Sequence, residues 1–140
     1  MSRLEVVCGL FLKEGQVAAF QRRASDEGVG GKWELPGGKV EAGESQEVAL
    51  RRELHEELDE DCDELTFFDY VDWDYPHLSL RLNCYVVEHF RGEICLKEHQ
   101  QMKWLERDSL LEVVDWADAD RALLEKWISR WSDGIGVDTA

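Results

Sequence analysis

With 140 residues the chain is long enough to bury one hydrophobic core and too short for two ordinary domains, so a single site is expected. A formal charge of −15 and a pI near 4.6 argue against unaided non-specific binding to a nucleic acid polymer or an anionic membrane, and a phosphate-bearing ligand would need cations to mediate its approach. The 44% apolar content and six Trp supply enough apolar surface to offset chain entropy, which excludes a disordered acidic chain.

Residues 4–12 and 17–22 are apolar, strand-like runs, and the Lys13-Glu14-Gly15-Gln16 spacing between them predicts a hairpin. The run from Val6 to Leu12 is too short for a membrane span and lacks the flanks of a signal peptide, so the expected location is cytoplasmic. Residues 24–32 read as a loop. Its Gly28 to Gly31 stretch matches neither a dinucleotide-binding nor a Walker pattern and is expected to be flexible, with the composition of a lid. Trp33-Glu34-Leu35 then leads into Pro36-Gly37-Gly38, a turn in which Pro fixes one φ and the glycines permit backbone shapes closed to other residues.

From Glu44 the pattern turns helical. Glu47, Leu50, Leu54 and Leu58 follow three- and four-residue steps, and the helix is predicted to end near Leu58 or Asp59. Past an acidic linker at 59–64, strands are predicted over 65–72, 78–87, 94–96 and 102–105, with a turn at Arg91-Gly92-Glu93. A second helix is predicted over 117–131, with Leu123, Leu124, Trp127, Ile128 and Trp131 along its apolar side. One domain is expected over 1–132, followed by a frayed tail at 133–140. Cys8, Cys62, Cys84 and Cys95 show no redox or metal-finger spacing and read as reduced thiols.

The chemistry is expected on the first helix. At about 100° per residue, Glu53, Glu56 and Glu57 share one arc of the surface while Leu50, Leu54 and Leu58 occupy the neighbouring arc. The leucines dock the helix and the glutamates face a cleft. Carboxylates at this density repel one another unless cations bind between them, and hard oxygen ligands suit Mg²⁺ or Mn²⁺. A solvated acidic face is the alternative for any Glu-rich helix. Against it stand the preceding Gly-Gly turn, Glu44 at a set distance, and Arg52.

Gly38, Glu44, Arg52, Glu53, Leu54, Glu56 and Glu57 reproduce G-x5-E-x7-R-E-L-x-E-E, the signature of the Nudix hydrolases. Gln21-Arg22-Arg23-Ala24, Trp33 to Lys39, Lys97-Glu98-His99-Gln100 and Ala119-Asp120 extend the resemblance to the MutT-like branch over nearly the whole chain. The resemblance implies an α/β fold, an α/β/α sandwich around a mixed β-sheet. It also implies a metal-dependent nucleoside triphosphate pyrophosphohydrolase, a monomer or homodimer, that releases nucleoside monophosphate and pyrophosphate from oxidised or modified nucleotides such as 8-oxo-dGTP. The alternatives within the family are a nucleoside diphosphate-sugar or dinucleoside polyphosphate hydrolase, hinted at by Pro76, and a non-catalytic nucleotide-binding module, which usually lacks a signature carboxylate.

By the same resemblance Glu56, Glu57 and the Gly38 carbonyl are metal ligands, joined by Glu53 and Glu98. Glu53 orients or deprotonates the attacking water, Arg52 holds the glutamates, and Glu44 supports them. Glu98 is either a further ligand or general base, or a solvated loop carboxylate beside Lys97. Arg23 and Lys39 are phosphate contacts or members of surface ion pairs. Asp120 reads the base or caps the second helix. Tyr75 and Trp73 stack on a base or pack in the core, and His55, His77, His89 and His99 are assigned no chemistry. Asp59 and Glu60 stand where the family usually has Gly and an aliphatic residue; Asp tolerates a left-handed helix cap, so the fold is expected to survive.

Overall fold

In the computed structural model, which describes residues 3–24, 30–90 and 93–132, strand β1 (Leu4–Lys13) runs through the middle of the sheet. Its side chains divide by parity: Cys8, Leu10 and Leu12 enter one core cluster, Val7 and Phe11 the other. Strands covered on both faces lose the apolar–polar alternation and become continuous hydrophobic runs, which is why residues 4–12 and 17–22 are legible as strands.

The remaining strands are β2 (Gln16–Gln21), β3 (Trp33–Glu34), β4 (Gly37–Lys39), β5 (Thr66–Tyr75), β6 (Leu78–Val87) and β7 (Gln101–Glu106). The sheet has the order β3-β2-β1-β6-β5, with β4 pairing to β1 and β7 to β2. Only the β1–β6 pair is parallel among these, so the sheet is mixed, as the resemblance implies. The β1–β2 turn is a two-residue loop in which Glu14 and Gly15 both have positive φ, 54° and 79°, a combination whose twist suits a hairpin.

Helix α1 (Gln46–Leu58) lays Ala49, Leu50, Leu54 and Leu58 on one face of the sheet. Helix α3 (Asp118–Ser132) lays Leu123, Leu124 and Trp127 on the other. Burying each leucine contributes about 1.5–3 kcal/mol, enough to fix both helices against the strands. The result is the expected α/β/α sandwich. A one-turn helix, α2 (Leu110–Val113), is not visible in the sequence, since four residues are too few to show a period. Among the described residues no helix is long and apolar enough to cross a membrane.

Both ends of α1 are defined by their caps. Ser45 is the N-cap, its hydroxyl accepting from the Val48 N–H at 3.1 Å, so Glu44 lies just outside the helix. At the other end Asp59 adopts the left-handed conformation, φ 58° and ψ 35°. Its N–H donates to the His55 carbonyl and that of Glu60 to the Leu54 carbonyl. Glu60 is buried, as the usual aliphatic residue would be.

Residues 94–96 are not a strand. Cys95 and Lys97 instead donate their N–H groups to the carbonyls of Leu58 and Glu57, each at 3.0 Å, so this backbone is spent on the end of α1. Strand β5 reaches Tyr75, beyond the predicted limit at 72, because Trp73, Asp74 and Tyr75 pair with Leu80, Ser79 and Leu78. Gly28 of the lid-like loop, the Arg91-Gly92 turn and the tail at 133–140 lie outside the described residues.

Candidate active site

Arg52 organises the outer part of α1. Its Nε and Nη2 donate to the two oxygens of Glu44 at 2.7 and 2.9 Å, and Nη1 donates to Glu53 Oε2 at 3.0 Å. Nη2 also reaches the Lys39 carbonyl at 3.1 Å, and Nη1 lies 3.5 Å from Glu56 Oε1. The Arg52 hydrogen bonds, with the Glu41 N–H, hold the Glu44 carboxyl down at about 2.

The two glycines of the turn are needed for close approach. A Cβ at Gly38 would lie 2.4 Å from the carboxyl carbon of Glu53, so only glycine lets β4 and this carboxylate meet. At Gly37 a Cβ would come within 1.9 Å of the Val7 carbonyl oxygen and break the β1–β4 pairing.

Glu57 points inward. It is 8% exposed, and its Oε1 is buried without a hydrogen-bond partner. Burial, followed by the charges of Glu34, Glu53 and Glu98, pushes its carboxyl up to about 9. Glu57 lines a cleft of about 150 Å³ together with Arg22, Arg23, Glu34, Glu98 and His99. Glu98 reaches the cleft because its loop is fastened to the end of α1 at Cys95 and Lys97 and to β2 through Gln100 N–H and the Gln21 carbonyl at 2.9 Å. Arg23 donates to the Lys97 carbonyl at 2.8 Å, tying the opposite rim to the same loop.

Of the residues singled out in sequence, Glu57, Glu98 and Arg23 therefore share the cleft, while Glu53 and Glu56 gather around Arg52 and Gly38 lies against the Glu53 carboxylate. Lys39 joins through its carbonyl, with an exposed side chain. Glu34 and His99 are additional: His99 Nε2 lies 2.9 Å from Glu34 Oε2, and Arg22 Nη1 lies 3.4 Å from Glu34 Oε1. Their only signal in the sequence is adjacency, Glu34 within the Trp33 to Lys39 motif and His99 next to Glu98.

A buried carboxylate oxygen with no donor, facing further carboxylates, fits a divalent cation that would supply the missing positive charge. Among the described residues no three Cys, His, Asp or Glu side chains already converge as a finished metal cage.

Asp120 does not line this cleft but lies close to Glu34, which does. Its Oδ2 accepts from the Leu35 N–H at 2.8 Å, so α3 anchors the segment between β3 and β4. Burial, and then the charge of Glu34, push its carboxyl up to about 8. Since α3 begins at Asp118, Asp120 sits inside the first turn, and the expectation of an N-cap is corrected. The Tyr75 hydroxyl accepts from the Ala119 N–H at 3.0 Å and serves that helix start, while Trp73 packs partly buried against the α3-side core.

A sheet sandwiched between helices, with a Gly-Gly turn closing on a carboxylate-bearing helix, is the setting of this site. The NUDIX domain description matches residues 1–132, and the chain belongs to the Nudix hydrolase family. Nudix hydrolases depend on divalent metal ions. The chain is 33% identical over 105 residues to the 8-oxo-dGTP diphosphatase of Escherichia coli K12, covering 75% of this chain and 81% of that protein. It is 36% identical over 132 residues to the CTP pyrophosphohydrolase of the same strain, covering 92% and 94%. Among solved structures, that of the E. coli ORF135 protein superimposes with a TM-score of 0.85 at 31% identity, covering 98% of this chain and 96% of that one.

Proposed function

We propose that the chain hydrolyses nucleoside triphosphates to nucleoside monophosphate and pyrophosphate with Mg²⁺ or Mn²⁺, acting in the cytoplasm on oxidised or modified substrates such as 8-oxo-dGTP. The observation that carries this reading is the buried Glu57 carboxyl, with Oε1 lacking a donor, in a cleft bordered by Glu98 and two arginines, beside Glu53 clamped by Arg52. The likeness to a protein named 8-oxo-dGTP diphosphatase supports the substrate.

In this mechanism Glu56, Glu57, Glu98, the Gly38 carbonyl and Glu53 would hold the cation. When bound, it neutralises non-bridging phosphate oxygens and acidifies water. Arg52 holds Glu53 through Oε2, and the carboxylate so placed orients the attacking water and takes its proton. Arg23 and Lys39 meet the phosphate chain from the rim, where cations offset the acidity of the domain. Asp120 selects the base through the oxygen that the Leu35 N–H does not take, which would accept from an N–H of guanine or from the amino group of cytosine. A second reading, a pyrimidine triphosphate such as CTP, is favoured by the likeness to CTP pyrophosphohydrolase over 92% of the chain.

The test is a panel of canonical, oxidised and methylated nucleoside triphosphates with ADP-ribose and dinucleoside polyphosphates, with products identified. Pyrophosphate release with the highest kcat/KM on an oxidised purine is expected. Preferred cleavage of ADP-ribose or a dinucleoside polyphosphate sinks the reading, and preference for CTP moves it to the second one.

A further inference from the structure

Glu98 stands on a loop, where a carboxylate is ordinarily mobile. The backbone bonds of Cys95, Lys97 and Gln100 hold the loop on either side of it. Of residues 97–100 only His99 is buried, with its side chain 4% exposed. The ring fits between Phe20 and Glu34, which are direct partners across the β2–β3 pair. Its centroid is 5.4 Å from that of Phe20. Its Nε2 lies 2.9 Å from Glu34 Oε2; a carboxylate only accepts, so this nitrogen carries the proton and donates. Glu34 is steadied in turn by Arg22 on its other oxygen.

We propose that His99 is a positioning residue: lodged between Phe20 and Glu34, it fixes the main chain at Glu98 and holds that carboxylate across the cleft from Glu57. The inference rests on the catalytic reading of Glu98. A loop carboxylate used in catalysis needs its own support to stay in productive geometry, and partners of this kind typically influence activity by 10- to 100-fold.

Four variants test it: His99→Leu, His99→Gln, Glu98→Gln and the double variant His99→Leu/Glu98→Gln, assayed at saturating Mn²⁺ with one nucleoside triphosphate. His99→Leu preserves packing against Phe20 and removes the donor. It is expected to lower kcat by about 10- to 100-fold with KM nearly unchanged, and to speed amide exchange at Cys95 and Lys97. His99→Gln, which keeps an N–H at similar reach, is expected to recover most of the loss in kcat and in protection. The double variant is expected to be no slower than Glu98→Gln alone.

Slow Glu98→Gln beside a His99→Leu of wild-type kcat overturns the positioning role while leaving the catalytic reading intact. Additive losses in the double variant overturn it too, because His99 then acts elsewhere. Wild-type kcat in Glu98→Gln overturns the catalytic reading of Glu98 and this proposal with it. Unchanged amide exchange in His99→Leu overturns the positioning role even if the wild-type chain hydrolyses none of the nucleotides tested.

Discussion

Two of the buried carboxyl groups, Glu57 and Asp120, lie on different helices and are treated differently. Glu57, on α1, has an oxygen with no donor and faces Glu34, Glu53 and Glu98. Asp120, on α3, has the Leu35 N–H to satisfy it and holds a loop in place. Both carboxyls are pushed far up, to about 9 and about 8, mainly by burial. The same electrostatic cost thus serves two ends. An acceptor left without a donor marks a place for an incoming charge, whereas a satisfied one marks an anchor.

The largest effects should come from breaking the unsatisfied side. Glu53→Gln keeps an oxygen for Arg52 and removes the base, so kcat should fall by about 10²- to 10⁴-fold with the fold retained. Excess EDTA should abolish turnover by the wild type, and full activity in EDTA would sink the metal mechanism. Glu57→Gln should shrink the rise in Tm that Mg²⁺ or Mn²⁺ gives the wild type, because one ligand of the folded state is lost. An equal rise in both proteins would remove Glu57 from the ligand set.

The satisfied side should respond through pH. The Asp120 carboxyl sits at about 8 in the fold against an ordinary 3.8, so the folded state binds this proton more tightly than the unfolded chain. Stability from this group is therefore complete below about pH 4 and is lost as pH rises towards 8. Glu34 opposes the charged form, while the Leu35 N–H and Arg22 favour it. Asp120→Asn retains an acceptor for Leu35 and does not ionise. The variant should match the wild type near pH 4 and be the more stable near pH 8, as read from Tm across that range. Glu57 contributes a slope of the same sign in both proteins, so only the difference between them counts. Two parallel curves would contradict the buried-acid picture. If Asp120 also selects the base, Asp120→Asn should change kcat/KM unequally among nucleotides, by ~1–3 kcal/mol of discrimination. A uniform change across the bases would leave it as an anchor alone.

The two regions also differ in how far the sequence discloses them. Gly38, Glu44, Arg52, Glu53, Glu56 and Glu57 occupy one short stretch of chain, so helical periodicity alone places most of them relative to one another. Arg52 meets Glu44 across a single helix start, a contact that spacing can anticipate. The Glu34–His99 and Leu35–Asp120 contacts join residues 65 and 85 positions apart, and local pattern carries no information about such pairs. His99 lacks ligand spacing, so the sequence alone gives it no chemistry, yet β3 supplies its partner Glu34. Residues 94–96 misled for a related reason: an apolar run reads as a strand, but its hydrogen bonds go to the end of α1.

The smallest expected effect lies at the exit of α1, where the sequence departs from the family pattern. Asp59 has φ 58°, a conformation that disfavours residues bearing a Cβ and that Asp tolerates better than most. Its Oδ1 lies 3.6 Å from Lys97 Nζ, with both side chains about half exposed, so this ion pair is worth roughly 0–1 kcal/mol. Asp59→Gly loses the pair and gains unfolded-state freedom, but it removes the left-handed strain, so the net change should stay within about 1 kcal/mol. Asp59→Ala loses the same pair and keeps the strain. The informative quantity is the difference between these two variants, in which the lost ion pair cancels. Urea unfolding should show Asp59→Gly more stable than Asp59→Ala by about 1 kcal/mol. Equal midpoints and slopes would mean that the strain of the left-handed cap only offsets the unfolded-state freedom that glycine brings, and that glycine at this position gives no net gain.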